Sequence, residues 1–597
     1  MTLTMNEIKR FFKRKIIPEN WKPTGLTKEI YVKLSEPIVR QAVAWQDEEG
    51  RIIDPFMKEE TSTTTARFVG ALGFLISAGR CLDLVDVCIK SMDKGCKDLY
   101  YSFKRPLPGP EFYVKELMRG YLALRDKAGK KLVRRWERYL GEYEPEKKYA
   151  AVFSKMKPEN IRNFCTFALA GEEFKNSYKI ADNIEFIEKY LRHTKKFFTE
   201  FGMYRDPGDP MTYDWVARMN LSLLKFFGYK GKNSKWLNEI LKKGGLTTLF
   251  FLSSTGEAPY GGRSNQLHHN EATIALICEY EARRYNQIGE KEIAGAFKRA
   301  ARLATLSIKK WLSLSPIRNI KNGFPPEIEH GRELSYGYYS AYSLLIASQL
   351  GFAYLVADDS IEEKPAPSEI GGYVLYLPDA FHKIFSTCCG YHLEIDTRGD
   401  QRYDATGLGR IHKSSIPSES GLSTSIVSNP NYRVCVKPSS RNIAIGPGWE
   451  NARRERYWLS DFSKEIEEIK LKKIREEKEE TEFNITYKGK FKDCTMVSET
   501  YKINTKGVEI TYKINKNKIL VQVPLLETDG LNKAKMEVGR KGFKVSYIGH
   551  TYDVKCIAPE DVNTFLEPFS APNRNGIYKI GGFKTKGNQI KCNFSLH

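Results

Sequence analysis

The hydrophobic pattern of the chain changes once, in a stretch rich in Asp, Glu and Pro at residues 355–370. Before this stretch, apolar residues recur every three or four positions in segments separated by polar loops, which predicts amphipathic helices. After it, apolar and polar residues alternate over short runs, which is typical of half-buried strands. The pattern therefore predicts two domains, a helical one over 1–365 and a strand-built one over 366–597.

The helical segments are short and closely spaced. They run near 36–46, 62–78, 81–93, 111–126, 158–170, 183–200, 211–228, 270–286, 290–312 and 333–350. Gly, Pro and Asn occur in the connections between them, as expected at helix ends. Repeated helical hairpins joined by polar loops favour a closed ring of helix pairs, an (α/α) toroid, over a simple bundle.

The strand segments are enriched in β-branched and aromatic residues. They run over 373–376, 391–395, 432–436, 508–512, 519–523, 543–547 and 590–594. Period-two alternation at this spacing predicts an antiparallel β-sandwich. A densely charged run at 464–480 interrupts the series, and it is interpreted as a solvated helix or loop.

Composition adds a strong charge imbalance to this picture. The 597 residues include 95 Lys and Arg against 73 Asp and Glu, which gives a net charge of +22. Such an excess indicates an acidic partner, although a lysine-rich solvated surface is an alternative. The sequence shows no zinc-finger spacing, basic heptad region or aromatic ribonucleoprotein motif, so nucleic acid is not the expected partner.

The eleven cysteines are scattered, without a Cys-x-x-Cys pair, and several fall inside apolar patterns. This usage indicates reduced thiols in the core and hence a cytoplasmic protein. No apolar signal segment follows the basic residues near the N-terminus, and no uninterrupted apolar stretch is long enough to span a bilayer. A secreted protein that has lost its signal segment is the alternative, and the oligomeric state stays open.

The densest set of reactive side chains lies in a Gly- and Pro-containing loop that leads into a helix, at residues 255–271. The candidates in this loop are Glu257, Tyr260, Arg263, Asn265, Gln266, His268, His269 and Glu271. A helix N-terminus disfavours imidazolium, so a histidine there can stay neutral and act as a base. A capped structural loop with buried histidines is the alternative interpretation.

Three further stretches are candidates to line a cleft. The first opens a helix with groups suited to sugar recognition, since aromatic faces stack on pyranose rings and carboxylates bind hydroxyls: Tyr213, Asp214, Trp215 and Arg218. The second offers three basic groups for a carboxylate or sulfate: Arg410, His412 and Lys413. The third is a tyrosine cluster that includes Tyr336, Tyr338 and Tyr339. A capped helix start, a solvated hairpin and aromatic packing are the respective alternatives.

A helical ring followed by a β-sandwich resembles the heparinase II/III-like and chondroitinase-like polysaccharide lyases, and also the (α/α)-toroid glycosidases that remove uronic acids. The segment Ser264–His269 looks like the lyase loop that places asparagine and histidine beside the substrate carboxylate. Glu333–Tyr339 lies where such lyases carry a catalytic tyrosine, and Arg410–Ser414 where they bring a histidine loop to the cleft. Here Thr255–Glu257 replaces the usual Asp-Gly-Ser, and the sandwich lacks the His-x-His motif, so no metal or other cofactor is expected.

The resemblance implies cleavage of a uronic-acid-containing saccharide by β-elimination. Such a reaction needs a group that neutralises the carboxylate, a base that removes the adjacent ring proton, and an acid that protonates the leaving oxygen. The candidates for these tasks are, in order, Arg263, Asn265 or Gln266; His268 or His269; and Tyr338 or Tyr339.

Two other functions stay open at this point. A uronate-specific glycoside hydrolase would use a pair of carboxyl groups, for which Glu257 and Glu271 are the candidates. A non-catalytic protein that binds acidic carbohydrate is the third possibility. In each case the partner is an acidic oligosaccharide or polysaccharide, not nucleic acid and not a membrane.

Overall fold

Helices form the first part of the chain and end at Ile370, and the first strand begins at Tyr373. The computed structural model describes residues 5–61, 63–102, 109–149 and 157–597. The described helices are α1 Met5–Lys13, α2 Glu29–Val43, α3 Thr64–Ser77, α4 Val85–Tyr100, α5 Val114–Leu124, α6 Lys130–Gly141, α7 Pro145–Lys148, α8 Phe164–Ser177, α9 Ile184–Thr194, α10 Met211–Phe226, α11 Ser234–Phe251, α12 His269–Gln287, α13 Lys291–Leu312, α14 Tyr339–Val356 and α15 Pro367–Ile370.

The longer helices close into a ring. Helices α3, α5, α8, α10, α12 and α14 pack on one another in this order, and α14 packs back on α3. Helices α2, α4, α9, α11 and α13 pack against these inner helices from outside. Because neighbouring helices cover most of their surface, the inner helices have most of their residues buried. The predicted (α/α) toroid is confirmed.

Helix α14 shows how an inner position changes the sequence. Its 18 residues are apolar enough to cross a membrane by length and composition alone, but 83% of them are buried inside the protein. In the described part of the chain it is the one helix that meets this test. Burial by the neighbouring ring helices accounts for its apolar character.

Strands fill the rest of the chain, and residues 157–597 are described without a gap. They are β1 Tyr373–Leu377, β2 Lys383–Cys388, β3 Tyr391–Asp396, β4 Gly407–Lys413, β5 Gly446–Glu450, β6 Arg456–Trp458, β7 Ile466–Glu476, β8 Glu480–Phe491, β9 Cys494–Asn504, β10 Gly507–Ile514, β11 Ile519–Thr528, β12 Lys535–Gly539, β13 Gly542–Tyr547, β14 His550–Ala558, β15 Asn563–Pro572, β16 Ile577–Lys584 and β17 Gln589–Leu596.

The strands form three antiparallel sheets. A four-stranded sheet has the order β1-β2-β3-β4, an eight-stranded sheet the order β12-β13-β14-β17-β10-β9-β8-β7, and a five-stranded sheet the order β15-β16-β11-β5-β6. Alternate residues of their strands meet in one apolar core, which includes Phe483, Tyr501, Val521 and Ile580. The predicted antiparallel sandwich is confirmed. The predicted boundary after residue 365 falls between the last ring helix and β1.

Two of the segment predictions are wrong. The charged run at 464–480 is mostly β7, a strand at the edge of the eight-stranded sheet. Charged side chains suit an edge strand because they discourage pairing with another molecule. The segment 432–436 is not a strand: Tyr432 makes an isolated bridge to Glu333 and lies under the guanidinium of Arg574, 4.2 Å from its ring centre.

Candidate functional site

A cavity of about 790 Å³ opens at one mouth of the helical ring. Helices α3, α8, α10, α12 and α14 and the loops before them supply its walls. Its polar and aromatic lining includes Arg67, Phe112, Arg162, Asn163, Phe164, Phe167, Asp206, Tyr213, Arg263, Ser264, His269, Tyr336, Tyr338, Tyr342 and Gln349. Aromatic faces beside charged and amide groups are the surface that a charged sugar requires.

The loop before α12 is held in place by carboxylates. The backbone amide of Tyr260 donates to Glu394 at 3.2 Å, and that of Gly262 donates to Asp404 at 2.6 Å. The amide of Ser264 donates to Glu333 at 2.6 Å. Because two of these carboxylates belong to the sheet domain, that domain fixes the loop conformation on which the cavity depends.

His269 is the first residue of α12 and borders the cavity. Its Nδ1 has no hydrogen-bond partner among the residues that the structure describes. Its ring lies edge-on to Tyr342, with centres 5.2 Å apart. Burial, with Arg67 and Lys321 nearby, lowers the pKa of His269 to about 3. The imidazole is therefore neutral near pH 7 and can accept a proton.

Arg67 brings a nearly buried cation to the same wall of the cavity, since it is 8% exposed. It lies 5.4 Å from the ring centre of Tyr342, and its Nη1 donates to the Ala341 carbonyl at 2.8 Å. Within the described ranges it forms no ion pair with a carboxylate. Burial lowers the pKa of Arg67, although Glu116 partly offsets this effect without contacting the guanidinium. A buried cation with no carboxylate in contact is costly, so this position favours an anionic ligand.

The rim of the cavity is also basic. Arg263 donates to the carbonyl of Pro207 at 2.5 Å, pairs with Asp206, and lies 4.2 Å from the ring centre of Tyr213. Arg162 lies 4.0 Å from the ring centre of Phe197. Among the described residues that line the cavity, three arginines face a single aspartate. The resulting potential attracts anions.

Three tyrosines of the 336–342 cluster line the cavity: Tyr336, Tyr338 and Tyr342. Ser264 donates to the hydroxyl of Tyr336 at 2.8 Å. Burial raises the pKa of Tyr336 and of Tyr342, so both hydroxyls keep their protons. Tyr339 points elsewhere, donating to the Ile317 carbonyl at 3.1 Å and accepting from Gln41 at 2.9 Å.

Several predicted residues of the loop lie beside the cavity without lining it. His268 packs on Trp311, with ring centres 5.8 Å apart. Asn265 donates to the carbonyl of Gly262, and Gln266 accepts from Asn575 at 3.0 Å. These contacts shape the loop and join it to the sheet domain.

The two predicted carboxylates of the loop are also absent from the described cavity lining. The ammonium of Lys321 lies 3.2 Å from Glu257 and 2.5 Å from Glu271. Lys321 lowers the pKa of Glu257 against the effect of burial, whereas burial raises the pKa of Glu271. The structure therefore places the pair in a buried ion cluster.

The other predicted binding residues divide in the same way. Tyr213 borders the cavity. Its neighbours are buried in α10, where Asp214 pairs with Arg218 at 2.7 Å and Trp215 donates to Asn270 at 3.1 Å. Their contacts are those of core residues.

Tyr260, within the loop, and the basic residues of β4 make contacts with the sheet domain that support the loop. Lys383 lies 3.4 Å from the ring centre of Tyr260. Arg410 pairs with Glu394 at 3.2 Å. His412 lies 2.8 Å from the hydroxyl of Ser253. Lys413 donates to the Leu596 carbonyl at 2.7 Å. None of the four predicted residues in this group is part of the described cavity lining.

The sequence analysis missed Arg67, Arg162, Asn163 and Tyr342. Arg67 carries a usable signal, because it is the one charged residue in the apolar helix α3. Tyr342 belongs to the same tyrosine cluster as Tyr338 and lies in the first turn of α14. Arg162 and Asn163 lie in a polar connection and carry no comparable signal. Among described residues, no group of three or more His, Cys, Asp or Glu side chains is placed to hold a metal ion.

The fold has known counterparts among solved structures. No protein-family model and no curated protein matches the chain. The crystal structure of heparinase III superimposes with a TM-score of 0.52 at 7% identity, covering 99% of this chain and 89% of that one. Likeness at this identity shows a shared fold, a helical toroid followed by a β-sandwich.

Two further solved structures are more distant. Heparan sulfate lyase HepC from Pedobacter heparinus gives a TM-score of 0.34 at 9% identity, covering 95% of this chain and 88% of that one. A variant of unsaturated glucuronyl hydrolase from Streptococcus agalactiae gives 0.40 at 10% identity, covering 60% and 97%.

Proposed function

We propose that this protein cleaves uronic-acid-containing oligosaccharides or polysaccharides by β-elimination in the cavity at the mouth of the ring. One observation carries the proposal: a neutral histidine and an arginine that contacts no carboxylate of the described residues both lie against the ring of one protonated tyrosine. These are His269, Tyr342 and Arg67. The three groups match the base, the acid and the carboxylate-binding group that elimination from a uronate requires.

Each group has a defined task in the proposed reaction. Arg67 binds the uronate carboxylate, which makes the proton on the adjacent ring carbon more acidic. The imidazole of His269 removes that proton, and the negative charge that develops on the carboxylate is stabilised by the guanidinium. Tyr342 donates its proton to the glycosidic oxygen as the bond to the leaving sugar breaks. The reaction gives two products: an unsaturated uronate with a new carbon–carbon double bond, and the leaving sugar with a free hydroxyl.

The remaining predicted groups take supporting tasks in this proposal. Arg263, held by Asp206, offers a second anion-binding position at the rim. Tyr338 and Tyr213 provide aromatic faces to the sugar rings. Asn265 acts through the loop conformation, because its amide is used in a bond to the Gly262 carbonyl.

A glycoside hydrolase is the second candidate. It is the weaker one because the cavity lacks a free pair of carboxylates among its described lining residues. Hydrolysis requires two carboxyl groups on opposite sides of the scissile bond. Of the described residues that line the cavity, Asp206 is the single carboxylate, and it is paired with Arg263. Glu257 and Glu271 are both bound to Lys321.

The deciding experiment is incubation with a panel of uronate oligosaccharides, with ultraviolet absorbance and product mass recorded together. Elimination gives absorbing products whose masses sum to the substrate mass. Products that together gain one water, without new absorbance, would assign the protein to the hydrolases. No product from any acidic substrate, combined with tight binding, would favour a binding protein.

A further inference from the structure

Two cysteines face each other across neighbouring strands of the eight-stranded sheet. Cys556 on β14 lies directly opposite Cys592 on β17 in the antiparallel register. Both belong to the sandwich core, with exposed fractions of 4% and 0%, and both thiols are free. Directly opposed residues project from the same face of a sheet, so the two sulfurs are neighbours.

The hydrogen-bond pattern gives this pair the shorter of two separations. Thr551 and His597 exchange both backbone hydrogen bonds, at 2.9 Å each. Hydrogen-bonded and non-hydrogen-bonded pairs alternate along an antiparallel ladder. The register is regular from Thr551 to Cys556, an odd number of steps, so Cys556 and Cys592 form a non-hydrogen-bonded pair. Consistently, the amide of Cys556 points away from β17 and donates to Lys541 at 2.9 Å.

This geometry is compatible with a covalent link. Opposed residues of a non-hydrogen-bonded pair have Cα atoms about 4.5 Å apart. A disulfide spans Cα separations of about 4.4–6.8 Å. A bond between these two sulfurs therefore requires side-chain rotation and little backbone movement.

We propose that Cys556 and Cys592 form an oxidisable cross-strand dithiol, a modification site whose reactant is a small-molecule disulfide such as oxidised glutathione. The sulfur of Cys556 attacks one sulfur of the reactant, and the first small thiolate leaves. The sulfur of Cys592 then attacks that of Cys556 and displaces the second. The protein loses two protons and two electrons, and the reactant gains both to become two thiols.

The surroundings of the two thiols support this order of attack. The contact with Cys592 lowers the pKa of Cys556, whereas burial raises the pKa of Cys592. Cys556 is also the less deeply buried member of the pair. A thiolate is the attacking species in exchange, so Cys556 reacts first.

The link would secure a strand that touches the sheet beside the candidate site. The amide of Leu596, on β17, donates to the hydroxyl of Tyr391 at 3.1 Å. Tyr391 begins β3, the strand that carries Glu394 and thereby holds the loop at Tyr260. Closing the loop between residues 556 and 592 restricts the unfolded chain and so favours this arrangement.

The test exposes the full-length protein to glutathione buffers of increasing oxidised fraction. Remaining thiols are then alkylated, and non-reduced peptides are mapped by mass spectrometry. We expect one cross-linked pair joining the Cys556 and Cys592 peptides, a melting temperature higher by on the order of 5 °C, and reversal by a dithiol reductant. The exposed Cys435 should form a mixed disulfide and serves as the internal control.

Two outcomes would overturn the proposal. In the first, Cys435 has formed its mixed disulfide with glutathione, but Cys556 and Cys592 are still fully alkylated after denaturation, which shows that both remain free thiols. The other is cross-linking of either cysteine to a different residue. The variant Cys556→Ala should lose both the cross-link and the rise in melting temperature. If that variant folds poorly, the peptide map of the oxidised wild-type protein is sufficient to decide the proposal.

Discussion

Arg67 is the residue on which the proposed reaction depends most. A guanidinium that is 8% exposed, with no carboxylate partner in the described chain, stabilises the protein little in the absence of a ligand. A bound carboxylate changes this balance, because it supplies the missing charge in a partly desolvated place. The cation lies close enough to His269 to lower its pKa. In the proposed reaction, Arg67 would therefore act where charge develops during proton removal.

Exchanging one hydroxyl tests the assignment of the acid. Tyr342→Phe keeps the ring against His269 but removes the proton, so we expect turnover to fall by at least about a hundredfold. Substrate affinity and melting temperature should change little. The matched control is Tyr339→Phe, which loses bonds to Ile317 and Gln41 and should cost about 1 kcal/mol of stability with turnover retained. Equal turnover in both variants would reject Tyr342 as the acid.

Whether a site residue could be predicted from the sequence depends on how far along the chain it lies from the residues that it contacts. His269 and Arg263 lie in one polar loop, so their grouping was visible in the sequence, and the structure places both at the cavity. Arg67 and Tyr342 lie far apart in the chain and meet only because the ring closes α14 on α3. Local patterns contain no information about such a contact. The same limit explains Glu257 and Glu271, whose partner Lys321 is remote in sequence.

At the scale of elements, the start of α12 depends on a buried ion cluster. Lys321 holds the carboxylates of Glu257 and Glu271, both of them almost fully buried. Removing the ammonium would leave two like charges close together without the cation that contacts both of them. Breaking a buried pair in this way is strongly destabilising, whereas exposed pairs contribute little.

We therefore expect Lys321→Met to lower the free energy of unfolding by about 3–5 kcal/mol at neutral pH. The deficit should shrink as the pH falls, because protonation removes the charge of the stranded carboxylates. The control is Lys147→Met, which breaks the exposed pair with Glu144 and should leave unfolding unchanged. Denaturant titrations at neutral and acidic pH measure both effects. A deficit that does not depend on pH would contradict the ion-cluster explanation.

Strand β9 carries a second electrostatic feature inside the sandwich. Glu499 is fully buried and accepts a bond from Tyr501 at 2.9 Å. Burial raises the pKa of Glu499 to about 8, above its ordinary value of 4.5. The unfolded state therefore releases its proton first, and stability falls as the pH rises from 4.5 towards 8.

Glu499→Gln keeps the shape of the protonated group and cannot ionise. We expect the variant to match the wild type near pH 4 and to gain about 4 kcal/mol relative to it by pH 8, since each pKa unit corresponds to about 1.4 kcal/mol. The gain should stop growing above that pH. Unfolding free energies across this range provide the measurement. A constant difference would show that Glu499 is not neutral in the fold.

The element pattern was predictable wherever one periodicity continues without interruption. The helix expected at 211–228 is α10, Met211–Phe226, and the strand expected at 508–512 lies within β10. The charged run at 464–480 was misread because an edge strand with a solvated face has few apolar residues. Its place in the sheet depends on pairing with β8, a tertiary contact.

At the scale of the whole molecule, the sheet domain is part of the candidate site. Asp404 and Glu394 hold the backbone of the loop before α12, and Arg574 pairs with Glu333 at 2.5 Å. Glu333 in turn accepts from Ser264 at 2.6 Å. Two domains thus fix one loop, so the ring and the sandwich are expected to act as one unit in catalysis.

The charge of the molecule should act on substrate capture more than on the chemical step. The net charge is +22, and the described cavity lining contains three arginines and one aspartate. Salt screens the long-range attraction of exposed charges, with a Debye length near 10 Å at about 0.1 M. It screens the buried Arg67 far less. We therefore expect kcat/KM on an anionic saccharide to fall steadily with salt while kcat stays nearly constant.

Two comparisons make this last prediction specific. Arg67→Met should lower kcat by about a hundredfold or more and leave the salt dependence of kcat/KM almost unchanged, because Arg67 acts at short range in a desolvated place. Lys586→Gln removes an exposed charge and should have the opposite pattern of effects. It should leave kcat unchanged and slightly weaken the salt dependence of kcat/KM. Steady-state kinetics over a range of salt concentrations separate the two. If salt lowers kcat as strongly as kcat/KM, the anion is held by exposed charges and the assignment of Arg67 fails.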